Sequence, residues 1–420
     1  MNQYFNDILS TLKTFDNYHK NTVPLCAAEN IMSDFVKFPL SLSLQERYIM
    51  NSNYSFKEDG NFIGAEKLIN FYSLIASICK EDFNSDYTDS RTLTGMNCIS
   101  LVLMSLTTIG DNVVILSQNA GGHASVEPIC KRLGLNVFYA PYDYNTYQLK
   151  SEDLNELVEK NNIKLILLAP SDIIFDLDLS AINTDKAILI YDATQLLGLI
   201  QSKLVFNPLT KRHKNFVMIG ATHKTMPGPS HGLILSNDGE IFSVLDKHIN
   251  PVYLRNTQMH QIVSLAFCLI EQQIYGQAYQ NNTVKTSNLL AYHLENSLSN
   301  KSIKIIKRNN IFSETHQIFL ECSEDLMNTI YRNGINAGVT LNTKKKDLFH
   351  GTGIRLGVQE ISRYQWGVND IKTIAEIIDE LTSTTCDFKK IENLKSDLSP
   401  KKIGYTLTEG ELSEFYSKFS

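Results

Sequence analysis

The feature that most constrains this chain is a series of short apolar, β-branched runs alternating with helical stretches between about residues 90 and 240. The runs are Asn112–Leu116, Asn136–Ala140, Lys164–Ala169, Ala187–Tyr191, Phe216–Ile219 and Gly232–Leu235, separated by stretches such as Ser125–Leu133 and Ser151–Lys160. None of these runs alternates apolar with polar residues, so both faces of each strand must be covered. That pattern predicts an α/β fold with a mostly parallel sheet between helical layers. Ligands in such sheets sit beyond the carboxyl ends of the strands, which makes the residues after each run the candidates for chemistry.

Around this core the chain divides into an N-terminal arm (1–45, with an amphipathic helix over 3–14), a large domain (46–278) and a smaller α/β C-terminal domain (279–420). Two long helical patterns, Thr257–Tyr275 and Asn281–Leu298, lead into the last of these. Its expected strands are Ser302–Ile306, Gln317–Glu321 and Gly353–Leu356. Its expected helices are Glu324–Asn333, Val368–Thr382 and a short docking helix, Glu409–Phe419. Composition narrows the function. With 39 basic and 45 acidic residues the net charge is −6, which offers no footprint for nucleic acid or an anionic membrane. No run approaches the ~20 apolar residues that span a bilayer, and the first twenty residues hold no secretory apolar region. The seven cysteines are scattered and never in CxxC spacing, which argues against a disulfide framework or a zinc site. The expectation is a cytoplasmic protein with no metal, nucleic-acid or membrane partner.

Five places carry chemistry. Lys224 follows a buried run within Ala221–Pro229 (ATHKTMPGP), between hydroxyls and a rigid Pro-Gly-Pro turn. An amine held there can have its pKa drawn below the usual value of about 10.4, as imine formation requires; the bland alternative is an exposed loop lysine. Asp192 ends the run Ala187–Tyr191, where a carboxylate is costly unless a cation meets it. The protonated ring nitrogen of pyridoxal phosphate (PLP) is such a cation, and the pair makes the ring an electron sink; a helix N-cap is the structural alternative. His123 leaves a Gly121-Gly122 turn and can lie flat on an aromatic cofactor, or be a satisfied structural histidine. Thr94-Gly95 opens a helix whose first N–H groups suit a phosphate. Arg355, within Gly353–Gly357 (GIRLG), places a guanidinium in an apolar strand, to be satisfied by an amino-acid carboxylate or by a buried ion pair.

In order and spacing these stretches resemble the serine hydroxymethyltransferase family. The matching segments are Pro24–Asn30 (PLCAAEN), Gly121–His123 (GGH), Asp192 with Gly198, Thr222–Pro229 (THKTMPGP), Met259-His260 and Gly353–Gly357. The resemblance implies the PLP-dependent transferase fold type I, aspartate aminotransferase-like, and a homodimer with shared active sites. It implies PLP as a Schiff base on Lys224, Asp192 on the ring nitrogen and His123 stacked on the ring. It also places Thr94 and Gly95 at the phosphate, Ser171 and Thr222 at the cofactor, and Arg355 at the substrate carboxylate, with Tyr48 and Glu29 also at the substrate. Lys224, His123, His223 and Tyr48 are the side chains that could move the β-hydroxyl proton.

Departures from the folate-dependent members point to a branch. Met50 stands where those members place a proton-handling glutamate, two residues beyond the tyrosine. A tyrosine pair becomes Phe62-Ile63, and Asn51–Gly60 holds a small insertion. Pro251–Asn256 replaces a glycine-rich phosphate loop, Gln195 a histidine and Ser230 an arginine. The chain is more similar to the L-threonine transaldolases of natural-product pathways, which share THKT-(I/M)-PGP, Thr315-His316-Gln317 and Gly353–Gln359 (GIRLGVQ). That likeness implies an aldol-type transferase or lyase in which a glycyl quinonoid, formed from threonine, serine or glycine, adds to an aldehyde acceptor. The alternatives are a tetrahydrofolate-dependent hydroxymethyltransferase, or another PLP reaction on an amino acid such as decarboxylation, transamination or racemisation.

Overall fold

A computed structural model describes residues 2–49 and 62–419. They form two compact units, Glu29–Asn281 with Ile403–Ser420, and Met1–Ala28 with Asn282–Lys402. The first residues of the chain thus belong with the C-terminal body, and the tail from Ile403 belongs with the large one.

The large unit is built on a seven-stranded sheet. Its strands are β1 (Tyr87–Asp89), β2 (Asn112–Ile115), β3 (Asn136–Tyr139), β4 (Leu165–Leu168), β5 (Ile188–Asp192), β6 (Phe216–Ala221) and β7 (Gly232–Ser236). In space they run β1-β7-β6-β5-β4-β2-β3. Strands β2 to β6 pair in parallel, as their unbroken apolar runs predict, and β4, β6 and β7 are buried along their whole length. Strand β7 pairs antiparallel with both β6 and β1, because the turn that carries Lys224 returns the chain directly alongside β6. From β2 the chain steps outward to β3 and then crosses back to the far side of β2 to make β4. The strand order therefore reverses between β2 and β4, and an open α/β sheet binds ligands outside the carboxyl ends of its strands at such a switch.

The expected runs and the observed strands agree to within two residues, but other elements differ from the reading above. The two long helical patterns are one helix, Met259–Leu298, of 40 residues. No proline separates them, and Gly276 costs a helix only about 1 kcal/mol. A Cβ at Gly276 would come within 3.1 Å of Gln272 Oε1 and Ser202 Oγ, so close packing accounts for the glycine. The polar stretch after Cys386 also holds a helix, Phe388–Ser396, anchored by buried Ile391.

The smaller unit carries an antiparallel sheet of β8 (Lys304–Ile305), β9 (Gln317–Glu321), β10 (Asn342–Lys346) and β11 (Gly351–Gly357), in the order β8-β9-β11-β10. Strand β10 (NTKKK) lacks an apolar run and has no counterpart in the sequence reading. It is an edge strand whose lysines discourage pairing with another chain. The N-terminal helix spans Gln3–Asn21, capped by Asn2, and none of its residues is buried. Among the described residues no helix is long and apolar enough to cross a membrane.

Candidate active site

The carboxyl ends of the large sheet converge on a cavity of about 170 Å³. Its walls include Thr94, Gly95, His123, Ser171, Asp192, His223 and Lys224. Each reaches the cavity for a local reason. After β2 the chain turns through Gly121, at φ 90°, and Gly122, where a Cβ would lie 2.1 Å from the Leu116 carbonyl oxygen. That tight turn lets His123 N–H donate to Ala169 O (2.9 Å) while Ser171 N–H donates to Gly121 O (2.8 Å). The loops after β2 and β4 are thereby laced together across the switch in strand order. Ser125 N–H donates to His123 Nδ1 at 3.3 Å.

Helix Gly95–Leu106 begins at the same cavity. The Thr94 hydroxyl caps it by accepting from Asn97 N–H at 3.0 Å, and the first turn leaves N–H groups without helical partners. On the opposite wall, Asp192 pairs in register with Ile219 of β6 and is buried. Both of its hydrogen bonds converge on Oδ1, from Thr194 N–H (2.9 Å) and Thr194 Oγ1 (2.5 Å). Burial raises the Asp192 pKa above the usual carboxylate value, against the pull of those bonds and of the charges on Lys224 and His123.

Lys224 rides the loop between β6 and β7. Thr222 N–H donates to His231 O (3.1 Å), Gly228 N–H to Thr222 O (2.9 Å) and the Thr222 hydroxyl to Pro229 O (2.8 Å). The loop is thus closed on itself under two prolines. Beside Lys224, His223 has its pKa pushed down to about 4, first by burial and then by the lysine charge. It is neutral at physiological pH, and among the described residues its buried Nδ1 has no hydrogen-bond partner.

Of the residues singled out in the large unit, Thr222, Tyr48 and Glu29 do not line this cavity. Thr222 is fully buried and commits its hydroxyl to the loop. Arg355 lies on β11 of the smaller unit, buried, with Nη2 donating to the neutral Asn342 Oδ1 at 2.7 Å. Tyr48 is 39% exposed with its ring 4.4 Å from that of Phe62, and Glu29 is exposed. Met50 and the insertion over 51–60 lie outside the described residues. Conversely, Met96, Ile99, Pro170, Thr194 and Ala221 line the cavity without having been singled out as site residues, and so does Gln195, noted above only as a departure. Each is within a few residues of one that was, so the rule of searching past strand ends would have found them.

The serine hydroxymethyltransferase family model matches residues 1–378. The chain belongs to that family. The enzyme named serine hydroxymethyltransferase from Staphylothermus marinus is 28% identical over 388 residues, covering 89% of this chain and 86% of its own. That of Methanopyrus kandleri is 25% identical over 419 residues, covering 95% of each. Among solved structures, L-threonine transaldolase from Pseudomonas fluorescens, in its internal aldimine state, superposes with a TM-score of 0.89 at 21% identity. That alignment covers 99% of this chain and 97% of the other. The fold is therefore the PLP-dependent fold type I that the resemblance implied, built on the mostly parallel sheet that the strand pattern predicted. Family membership makes the chain a PLP-dependent transferase.

The residues present fit that cofactor. A carboxylate buried by protein, with both its hydrogen bonds on one oxygen, is a poor structural element and a good partner for a protonated ring nitrogen. An amine, a helix N-terminus with a capping hydroxyl, and an imidazole share the same cavity.

Proposed function

We propose that the protein is an aldol-type transferase acting on β-hydroxy-α-amino acids, cleaving L-threonine to a glycyl unit and transferring it to an aldehyde acceptor. PLP, when bound, supplies the sink for the electrons of the broken carbon–carbon bond. The protein residues divide the remaining work. The N-terminus of helix Gly95–Leu106 and Thr94 would hold the phosphate, and Asp192 would keep the ring nitrogen protonated. His123 would cover the ring face, Ser171 would contact the cofactor, and Lys224 would hold the cofactor until the substrate amine replaces it. Arg355 is our candidate for the substrate carboxylate.

For the β-hydroxyl proton the cavity offers three bases, Lys224, His123 and His223. With a pKa near 4, His223 is a weak base, better suited to accept a hydrogen bond than to hold a proton at neutral pH. Lys224 and His123 are the stronger candidates.

Met50 carries the preference for transaldolase over folate chemistry. In the resemblance, hydroxymethyl transfer uses a carboxylate at that position, and a thioether cannot relay a proton. One observation favours the second reading: the curated relatives that span the chain are named serine hydroxymethyltransferase. The family resemblance and the apolar face of the exposed N-terminal helix (Phe5, Ile8, Leu12 and Phe15) together support assembly with a second copy.

The deciding experiment loads the purified protein with PLP and titrates it with glycine, serine and L-threonine while acetaldehyde is assayed, with and without tetrahydrofolate. Threonine-dependent acetaldehyde release that ignores folate is the expected result. Serine turnover that needs folate would establish the second reading instead. A spectrum unmoved by all three amino acids would mean that the donor, and hence the reaction, is wrong.

A further inference from the structure

The loop that carries Lys224, residues 222–231, lies outside the sheet ladder, so the carbonyls of Lys224 and Thr225 take their donors from elsewhere. Two side-chain amides meet them. Asn30 Nδ2 donates to Lys224 O at 2.5 Å, and Gln280 Nε2 donates to Thr225 O at 2.6 Å. Neighbouring bonds determine which way the Asn30 amide points. Its Oδ1 accepts from Ile31 N–H (2.8 Å), which leaves Nδ2 for the lysine carbonyl and, at 2.9 Å, for the Tyr279 hydroxyl. Tyr279 and Gln280 are adjacent on helix Met259–Leu298 and fully buried. The Tyr279 ring also lies 5.7 Å from that of Tyr405, in the tail beyond the family match. Gly198 makes room for the second clamp. Its N–H donates to Thr225 Oγ1 (3.2 Å), and a Cβ there would come within 2.5 Å of Gln280 Nε2 and 2.6 Å of Thr225 O.

We infer that Asn30 and Gln280 are positioning residues that fix the two successive peptide units following Lys224, and with them the direction in which the amine enters the cavity. The inference rests on the reading of Lys224 as the cofactor-holding amine. Neither residue lines the cavity, so each acts through Lys224.

The test uses full-length Asn30→Ala, Gln280→Leu and the milder Tyr279→Phe, which keeps the bond from Asn30 to Lys224 O but removes the second partner of that amide. In cofactor-free protein, the rate of reductive methylation of Lys224 by formaldehyde and cyanoborohydride is read by peptide mass spectrometry. In PLP-loaded protein, the pH midpoint of the lysine–cofactor absorption band is read alongside kcat and KM for threonine cleavage. Freed from its clamp, Lys224 is expected to label at least about threefold faster in the two stronger variants. Their kcat should fall roughly tenfold with KM changed less than about twofold, since a displacement of about 1 Å can cost two orders of magnitude. Their band midpoint is expected to move, and Tyr279→Phe should shift every readout in the same direction by less. Wild-type labelling and an unmoved midpoint in folded Asn30→Ala and Tyr279→Phe would overturn the inference, even if turnover dropped, because the amides would then only be satisfying carbonyls. If Asn30→Ala does not fold, Tyr279→Phe decides. A wild-type protein that cleaves no threonine would count against the proposed reaction alone, because the labelling comparison needs neither cofactor nor turnover.

Discussion

At the scale of single residues, the buried carboxylate at the end of β5 links stability to function. Burial raises the Asp192 pKa, so the cofactor-free protein favours the protonated form and loses stability as pH rises from the unfolded value of about 3.8 through the raised one. We therefore expect cofactor-free Asp192→Asn to melt at a higher temperature than wild type at pH 8, with the advantage narrowing as pH is lowered. The same substitution should cut turnover of the PLP-loaded enzyme at least about a hundredfold, because a fixed charge opposite the ring is lost. Lys224→Ala should abolish both turnover and the lysine–cofactor absorption band; retained multiple turnover would remove Lys224 from its role. Histidines give the opposite pH sign. His231 is fully buried with Nε2 donating to Ser90 O at 2.7 Å, and its pKa is pushed down to about 4 by burial. Its contribution is present above about pH 6.5 and lost as pH falls through 4, amounting to about 3 kcal/mol at the acid limit. His231→Gln should therefore flatten the acid side of a melting-temperature profile between those values.

At the scale of elements, the tail shows how aromatic spacing becomes packing. Helix Glu409–Phe419 places Phe415, Tyr416 and Phe419 on one side, and their rings lie within 5.7 Å of those of Phe35, Phe38 and Phe267. Edge-to-face pairs of this kind add about 1 kcal/mol each beyond the area they bury. Phe415→Ala should cost roughly 2 kcal/mol by denaturant unfolding and raise hydrogen exchange in residues 409–419 before the sheet. An unchanged exchange pattern would mean that the cluster does not hold the tail. Legibility also varied by element. Strand β3, at the sheet edge, carries an apolar run although it is only half-buried. Strands β4, β6 and β7 were readable because burial on both faces demands unbroken apolar runs, and helix Ser151–Lys160 because Leu154 and Val158, four residues apart, give it one buried side. Strand β10 was not, because an edge strand is selected by its neighbour β11 and carries polar residues without penalty.

At the scale of the whole molecule, the reaction depends on side chains that are far apart in sequence. If Met50 is what separates this chain from folate chemistry, Met50→Glu should introduce some tetrahydrofolate-dependent turnover of serine, measured as formation of glycine. No gain with folate present would place the difference elsewhere, for example at Gln195 in the cavity wall. The fold class and the family were legible in the residue order, which also singled out Lys224, Asp192, His123, Thr94 and Gly95 as candidates, with Ser171 added by the resemblance; all six line the cavity. Lys224, Asp192 and His123 are announced by what immediately precedes them, a buried run or a glycine turn, and such signals are local. Packing set the rest: Thr222 turns inward to close the loop, the chain's first residues group with the smaller unit and its tail with the larger, and Asn30 and Gln280 hold the lysine backbone. A side-chain amide has no preference that reveals its acceptor 194 residues away. Its partner is chosen by which buried carbonyl the packed fold leaves without a donor.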